Sequence, residues 1–194
     1  MTNGILSKHA GTIAVGSGII AVTLYYLMIT VTLAEIQNVS GQIPFDMRPF
    51  GYAPKEASVL LESLGADGRE YYLSRQITLD TLYPAMLALT LSTTILWFGR
   101  RLSNRRLIHI GVALSIGSAL LDYAENLGIV TMIRSWPEVS APLVYAVSTA
   151  TILKSGATTL TVVLVILVGS KWRPQSKSDL RPKIIAGVCP HSRP

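Results

Sequence analysis

The stretch LIHIGVALSIGSALLDYAEN, residues 107–126, decides the fold class of this chain. As far as residue 121 it carries no charge at neutral pH, because its one histidine is neutral there. A helix needs about 20 mainly apolar residues to cross the hydrocarbon core of a bilayer. The stretch has that length, so it predicts a transmembrane helix, and this helix ends in two carboxylates and an amide.

Three other segments have the same character, at residues 11–34, 77–98 and 142–169. The chain of 194 residues is 49% hydrophobic and only 14% charged, whereas soluble domains carry about 25% charged residues. We therefore predict an all-α integral membrane protein, a four-transmembrane-helix bundle formed by a single domain over residues 1–170.

Basic residues cluster at the ends of the apolar segments. The net charge is +6, but its distribution favours membrane topology over binding to nucleic acid. The loop GRRLSNRR, residues 99–106, and the tail, residues 171–194, are both rich in Lys and Arg. Positively charged loops stay in the cytoplasm. We therefore predict that both termini are cytoplasmic and that the tail is a basic, flexible cytoplasmic segment.

The same topology places the loop of residues 36–76 outside the cytoplasm. Within it, PKEASVLLESLG has apolar residues at helical spacing, with Pro54 near its start and Gly65 at its end. Proline is favoured in the first turn of a helix and glycine just after the last. The sequence predicts a helical extracytoplasmic loop between the first two spans, with a short amphipathic helix over residues 54–65.

Ionisable residues within the spans lie at similar depths. Asp122 lies about 22 Å from the start of the third span, and Lys154 about 21 Å from the end of the fourth, at 1.5 Å per helical residue. Both therefore lie in the outer half of the bilayer, where we expect them to pair. Pro84 is expected to leave a backbone carbonyl near Asp80 without its helical partner.

Residues at these positions are typical of a polar pocket, since ionisable groups inside spans usually face the bundle interior. Asp122 and Glu125 share a helix face, and with Lys154 they are the predicted catalytic residues. The predicted substrate-binding residues are Asp80, Tyr83, Asn126, Arg69, Tyr72 and Glu35. Three alternatives stay open: Asp80, Glu35 and Glu125 solvated among the headgroups, Lys154 extended towards the interface, or a purely structural pair of Asp122 and Lys154.

The predicted function is binding or transformation of a lipid-like amphiphile by carboxylate acid/base chemistry. Two carboxyls in unequal surroundings can serve as acid and base. Whether the protein is an enzyme stays open. The alternatives are proton or ion translocation through an Asp–Lys relay, or a structural or accessory subunit of a larger membrane complex. No cofactor or metal is predicted. A variant of the binding hypothesis is that the carboxylates bind a cation such as Ca²⁺. The expected partner is a membrane lipid, and a homo-oligomer is left open.

Overall fold

The computed structural model describes residues 5–100 and 105–170, and within these ranges all regular secondary structure is helical. The predicted tail and the middle of the arginine-rich loop lie outside the described residues. The helices are α1 (Ile5–Leu27), α2 (Leu33–Ser40), α3 (Pro54–Ser63), α4 (Gly65–Tyr71), α5 (Ile77–Gly99), α6 (Arg105–Arg134) and α7 (Ala141–Ser170).

Four helical stretches are long and apolar enough to cross a membrane, which confirms the predicted multi-pass, all-α architecture. We call them the first span (His9–Ser40), the second span (Gly65–Gly99), the third span (Arg105–Arg134) and the fourth span (Ala141–Ser170). The first three are longer than the sequence predicted. Apolar character marks only the part of a helix that faces lipid, whereas helical hydrogen bonding continues through polar residues that face the protein.

Two π-helical turns interrupt these helices. Met28–Thr32 joins α1 to α2, and Tyr72–Gln76 joins α4 to α5. The two turns lie side by side, and the buried Thr32 hydroxyl donates a hydrogen bond to the Gln76 side-chain oxygen. Such turns occur often at functional sites, and these two lie directly beside the ionisable residues described below.

The bundle packs in chain order, with α1 against α5, α5 against α6 and α6 against α7. The contact between α6 and α7 is close at Gly128, where an added Cβ would clash with Val147. The first and fourth spans, by contrast, make little or no contact with each other. A gap therefore opens between them towards the side of the bundle that lipid would cover.

Residues 41–64 form a connecting segment that covers one end of the bundle, which we call the capped end. Its side chains belong to the hydrophobic core, since Phe45, Leu60 and Leu61 are fully buried together with Ile129 and Met132 of α6. Burial of such side chains contributes about 1.5–3 kcal/mol each. The segment is therefore an integral part of the bundle and holds its own polar residues in place.

The connecting segment is also fixed to α7. Gly51 has a φ of 82°, a backbone conformation that glycine adopts without strain. A Cβ at this position would lie 2.5 Å from Ser148 Oγ. The next backbone N–H, that of Tyr52, donates a hydrogen bond of 2.8 Å to the same hydroxyl. Close approach of the backbone at Gly51 thus sets the position of the residues that precede it.

Candidate functional site

Three ionisable side chains of the third and fourth spans form a buried cluster. Lys154 Nζ lies 2.9 Å from Asp122 Oδ1 and also pairs with Glu125 Oε2. The Thr151 hydroxyl donates a hydrogen bond of 2.7 Å to the other Glu125 oxygen. The side chains of Asp122 and Lys154 are 9% and 15% exposed, and that of Glu125 is fully buried. The predicted pair of Asp122 and Lys154 is formed, and Lys154 does not extend towards the interface.

The second span adds Asp80 and Tyr83, with Asp80 only 2% exposed. Pro84 lacks the N–H that would bond to the carbonyl of residue 80. In its place, Asn126 Nδ2 donates a hydrogen bond of 3.0 Å to that carbonyl. The proline in α5 and the asparagine in α6 therefore act together, and they fix Asp80 beside the ionic cluster.

The connecting segment contributes a fourth carboxyl, that of Asp46, which is not among the residues predicted from the sequence. It lies in the short 3₁₀ helix Phe45–Met47 and accepts a hydrogen bond from the buried Tyr72 hydroxyl. Its carboxyl lines the same cavity as the carboxyl of Asp80. The site thus contains a carboxyl pair in addition to the ionic cluster.

Two adjoining cavities form one cleft at these groups, and both are lined by Tyr25, Asp46, Tyr83, Asp122 and Lys154. The first cavity, of about 330 Å³, extends under the connecting segment and includes Asp80 in its wall. The second, of about 460 Å³, extends along α7 past Thr158, Val162 and Val163. The cleft is therefore acidic at the capped end, and it is lined by hydroxyl and apolar side chains where it follows the gap between the first and fourth spans.

Aromatic residues form one wall of the cleft. The rings of Tyr25 and Tyr83 stack with their centroids 5.8 Å apart. Tyr25 is half exposed, at 50%, so its ring lies at the mouth of the cleft. Tyr25 was not predicted as a site residue, because the sequence of an apolar helix does not show which way a tyrosine in it faces.

Tyr52 lies on the protein side of the cluster, near Thr151 and Glu125. Burial raises the pKa of its phenol well above the ordinary value, and the negative charge of Glu125 raises it further. Tyr52 is therefore a neutral hydroxyl over the whole physiological range, and it places a hydrogen-bonding group behind Glu125 without adding charge.

Two of the predicted substrate-binding residues lie away from the cleft. Arg69 is half-buried, donates a hydrogen bond of 2.7 Å to the Leu61 carbonyl and lies 5.6 Å from the centre of the Trp136 ring. Glu35 is exposed and borders a separate, smaller cavity of about 180 Å³ between α2 and α4. The structure brings together Asp80, Tyr83, Asp122, Glu125 and Lys154, with Asn126 and Tyr72 holding Asp80 and Asp46.

Within the described ranges no group of three or more His, Cys, Asp or Glu side chains is arranged to hold a metal ion. Comparison of the chain with protein-family models, with curated proteins and with solved structures found no match.

Proposed function

We propose that this integral membrane protein binds a lipid-like amphiphile in the cleft and transforms it by carboxylate acid/base chemistry. One observation carries the proposal: a cleft with charged groups at its inner end opens between the first and fourth spans, where hydroxyl and apolar side chains line it. Ligand sites combine apolar walls with a few convergent polar groups in this way. An amphiphile in the bilayer would enter the cleft laterally from the membrane, with its headgroup towards the carboxyls and its apolar chain along α7.

The proposed orientation places the capped end outside the cytoplasm. Arg100, Arg105 and Arg106 lie at the opposite end of the bundle, between the second and third spans. The positive-inside rule assigns that end, and with it both termini, to the cytoplasm. In this orientation the cleft lies in the outer half of the bilayer and receives molecules from the outer leaflet.

The four carboxyls have different parts in the proposal. Asp46, Asp80 and Asp122 line the cleft and are able to reach a bound headgroup. Glu125 is fully buried and binds Lys154 and Thr151, so we assign it a positioning role. We assign the role of the base to Asp122, which pairs with Lys154, and the binding of the headgroup to Asp46 and Asp80.

The proposal is tested by exposing purified protein to a total membrane-lipid extract and identifying retained or altered species by mass spectrometry. Wild type is expected to enrich a particular lipid class, and Asp122→Asn to lose it. Asp67→Asn serves as the control, because Asp67 is an exposed carboxylate outside the cleft. Identical retention by wild type and Asp122→Asn would contradict the proposal.

A second candidate, proton transfer across the bundle, is favoured by hydroxyls that continue from the site. Ser118 is hydrogen-bonded to Thr158, close to the Lys154 carbonyl, and Ser115 donates a hydrogen bond to the Ala88 carbonyl. Proton uptake into liposomes that contain the protein, compared with liposomes of Ser118→Ala, measures this activity. No difference from protein-free liposomes would exclude it.

A further inference from the structure

The cleft holds more hydrogen-bond acceptors than donors. Asp46, Asp80 and Asp122 all line it, while Lys154 is the one cation among its described lining residues. The ammonium of Lys154 is already engaged by two carboxylates, Asp122 and Glu125. A bound anion would therefore meet a net negative surface with no free cation.

A second observation indicates what the cleft binds. Asp80 is 2% exposed, and its Oδ2 atom accepts no hydrogen bond from any donor in the described part of the chain. The Oδ1 atom of Asp46 is in the same state, because the Tyr72 hydroxyl donates to the other oxygen. Buried polar atoms in native proteins almost always have partners. Both residues line the same cavity, and neither carboxylate has a proton to donate when ionised.

The nearest basic residue of the connecting segment does not compensate this charge. Arg48 donates two hydrogen bonds to the Ile43 carbonyl and pairs with Glu56 at 3.6 Å. It borders a different cavity, on the other side of the segment. Among the described residues, no basic side chain forms an ion pair with Asp46 or Asp80, so a positively charged ligand group can bind to both.

We propose that the ligand is an amphiphile with a primary or secondary amine headgroup, bound as an ammonium ion between Asp46 and Asp80. This inference rests on the proposed amphiphile function and names its substrate class. An ammonium N–H donates to each unpartnered oxygen, which a quaternary ammonium is unable to do. The stacked rings of Tyr25 and Tyr83 border the headgroup position, and the apolar chain lies along α7.

The test uses the purified full-length protein in maltoside detergent and a series of dodecyl compounds that differ only in the headgroup. Dodecylamine, dodecyltrimethylammonium, dodecanol and dodecyl phosphate compete with radiolabelled dodecylamine. We expect dodecylamine to compete best, by about tenfold over each of the others, as one charge-assisted hydrogen bond implies. Asp80→Asn and Asp46→Asn should each weaken binding of dodecylamine by about tenfold or more.

Glu35→Gln is the matched control, since Glu35 is an exposed carboxylate near the same end of the bundle and outside the cleft. Its affinity for dodecylamine should equal that of wild type. Asp46 is only partly buried, so Asp46→Asn keeps the test valid if Asp80→Asn fails to fold.

The amine specificity and the binding of an amphiphile are contradicted by different results. Equal competition by dodecylamine and dodecyl phosphate, or unchanged affinity in both aspartate variants, overturns the amine specificity. Dodecanol and dodecyl phosphate are also radiolabelled and tested for direct binding. If either compound binds to wild type and loses affinity in Asp122→Asn, while dodecylamine does not, the amphiphile function stands and the amine inference is wrong. If none of the four compounds binds, both are wrong.

Discussion

The substitution Lys154→Met removes the cation that Asp122 and Glu125 share. The side chain that replaces it is similar in length and apolar. Both carboxylates stay buried, at 9% and 0% exposure, and lose their counter-charge. Removal of one member of a buried ion pair costs about 3–5 kcal/mol, because an uncompensated charge remains. We expect the free energy of unfolding to fall by this amount.

The assay is reversible unfolding in mixed detergent–SDS micelles, followed by tryptophan fluorescence. The triple variant Lys154→Met, Asp122→Asn, Glu125→Gln provides the control, because it neutralises the whole cluster with side chains of similar shape. Replacing a complete buried ion cluster is often close to neutral, so the triple variant should recover most of the loss. A cost below about 1 kcal/mol for Lys154→Met, the value of a solvated surface pair, would refute the buried cluster.

Three further predictions concern packing, the freed carbonyl and topology. Gly128→Ala should lower the free energy of unfolding by about 1–3 kcal/mol in the same micelle assay, because its Cβ clashes with Val147, whereas Gly117→Ala, where the space is open, should not. Asn126→Leu should lower the free energy of unfolding by about 1–3 kcal/mol in wild type. The loss should be clearly smaller in a Pro84→Ala background, because residue 84 then has an N–H that bonds to the Asp80 carbonyl. Equal losses in the two backgrounds would show that Asn126 does not stabilise that carbonyl. In a Cys189→Ser background, a membrane-impermeant thiol reagent should label the exposed position of Ser58→Cys on intact cells, and labelling only after lysis would reverse the proposed orientation.

Much of the bundle is predictable from the sequence, because the regular geometry of a helix relates the separation of two residues in sequence to their distance in space. A rise of 1.5 Å per residue is enough to place Asp122 and Lys154 at one depth, and helical periodicity is enough to place Asp122 beside Glu125. The structure has these side chains in contact. The four spans follow from apolar length alone.

Asp46 was not predictable on the same grounds. It lies in an irregular segment, where no periodicity links position in the chain to position in space. Its location depends on tertiary contacts, namely the burial of Phe45 and the fixing of Gly51 against Ser148. The π-helical turns were missed as well, because the same residues are compatible with a regular α-helix. Arg69 and Glu35 were placed near the site by chain position, although their side chains point elsewhere.

The central claim is that an amphiphile occupies the cleft between the first and fourth spans, and photolabelling in membranes tests it most directly. A dodecyl amphiphile with a diazirine in its chain is irradiated with the protein in bilayers, and the adducts are mapped by mass spectrometry. We predict adducts concentrated at Tyr25 and along α7 at Thr158, Val162 and Val163, and competed away by unlabelled dodecyl amphiphile. Adducts spread evenly over lipid-facing residues outside the cleft, such as Leu120 and Leu127, and insensitive to competitor would contradict the claim.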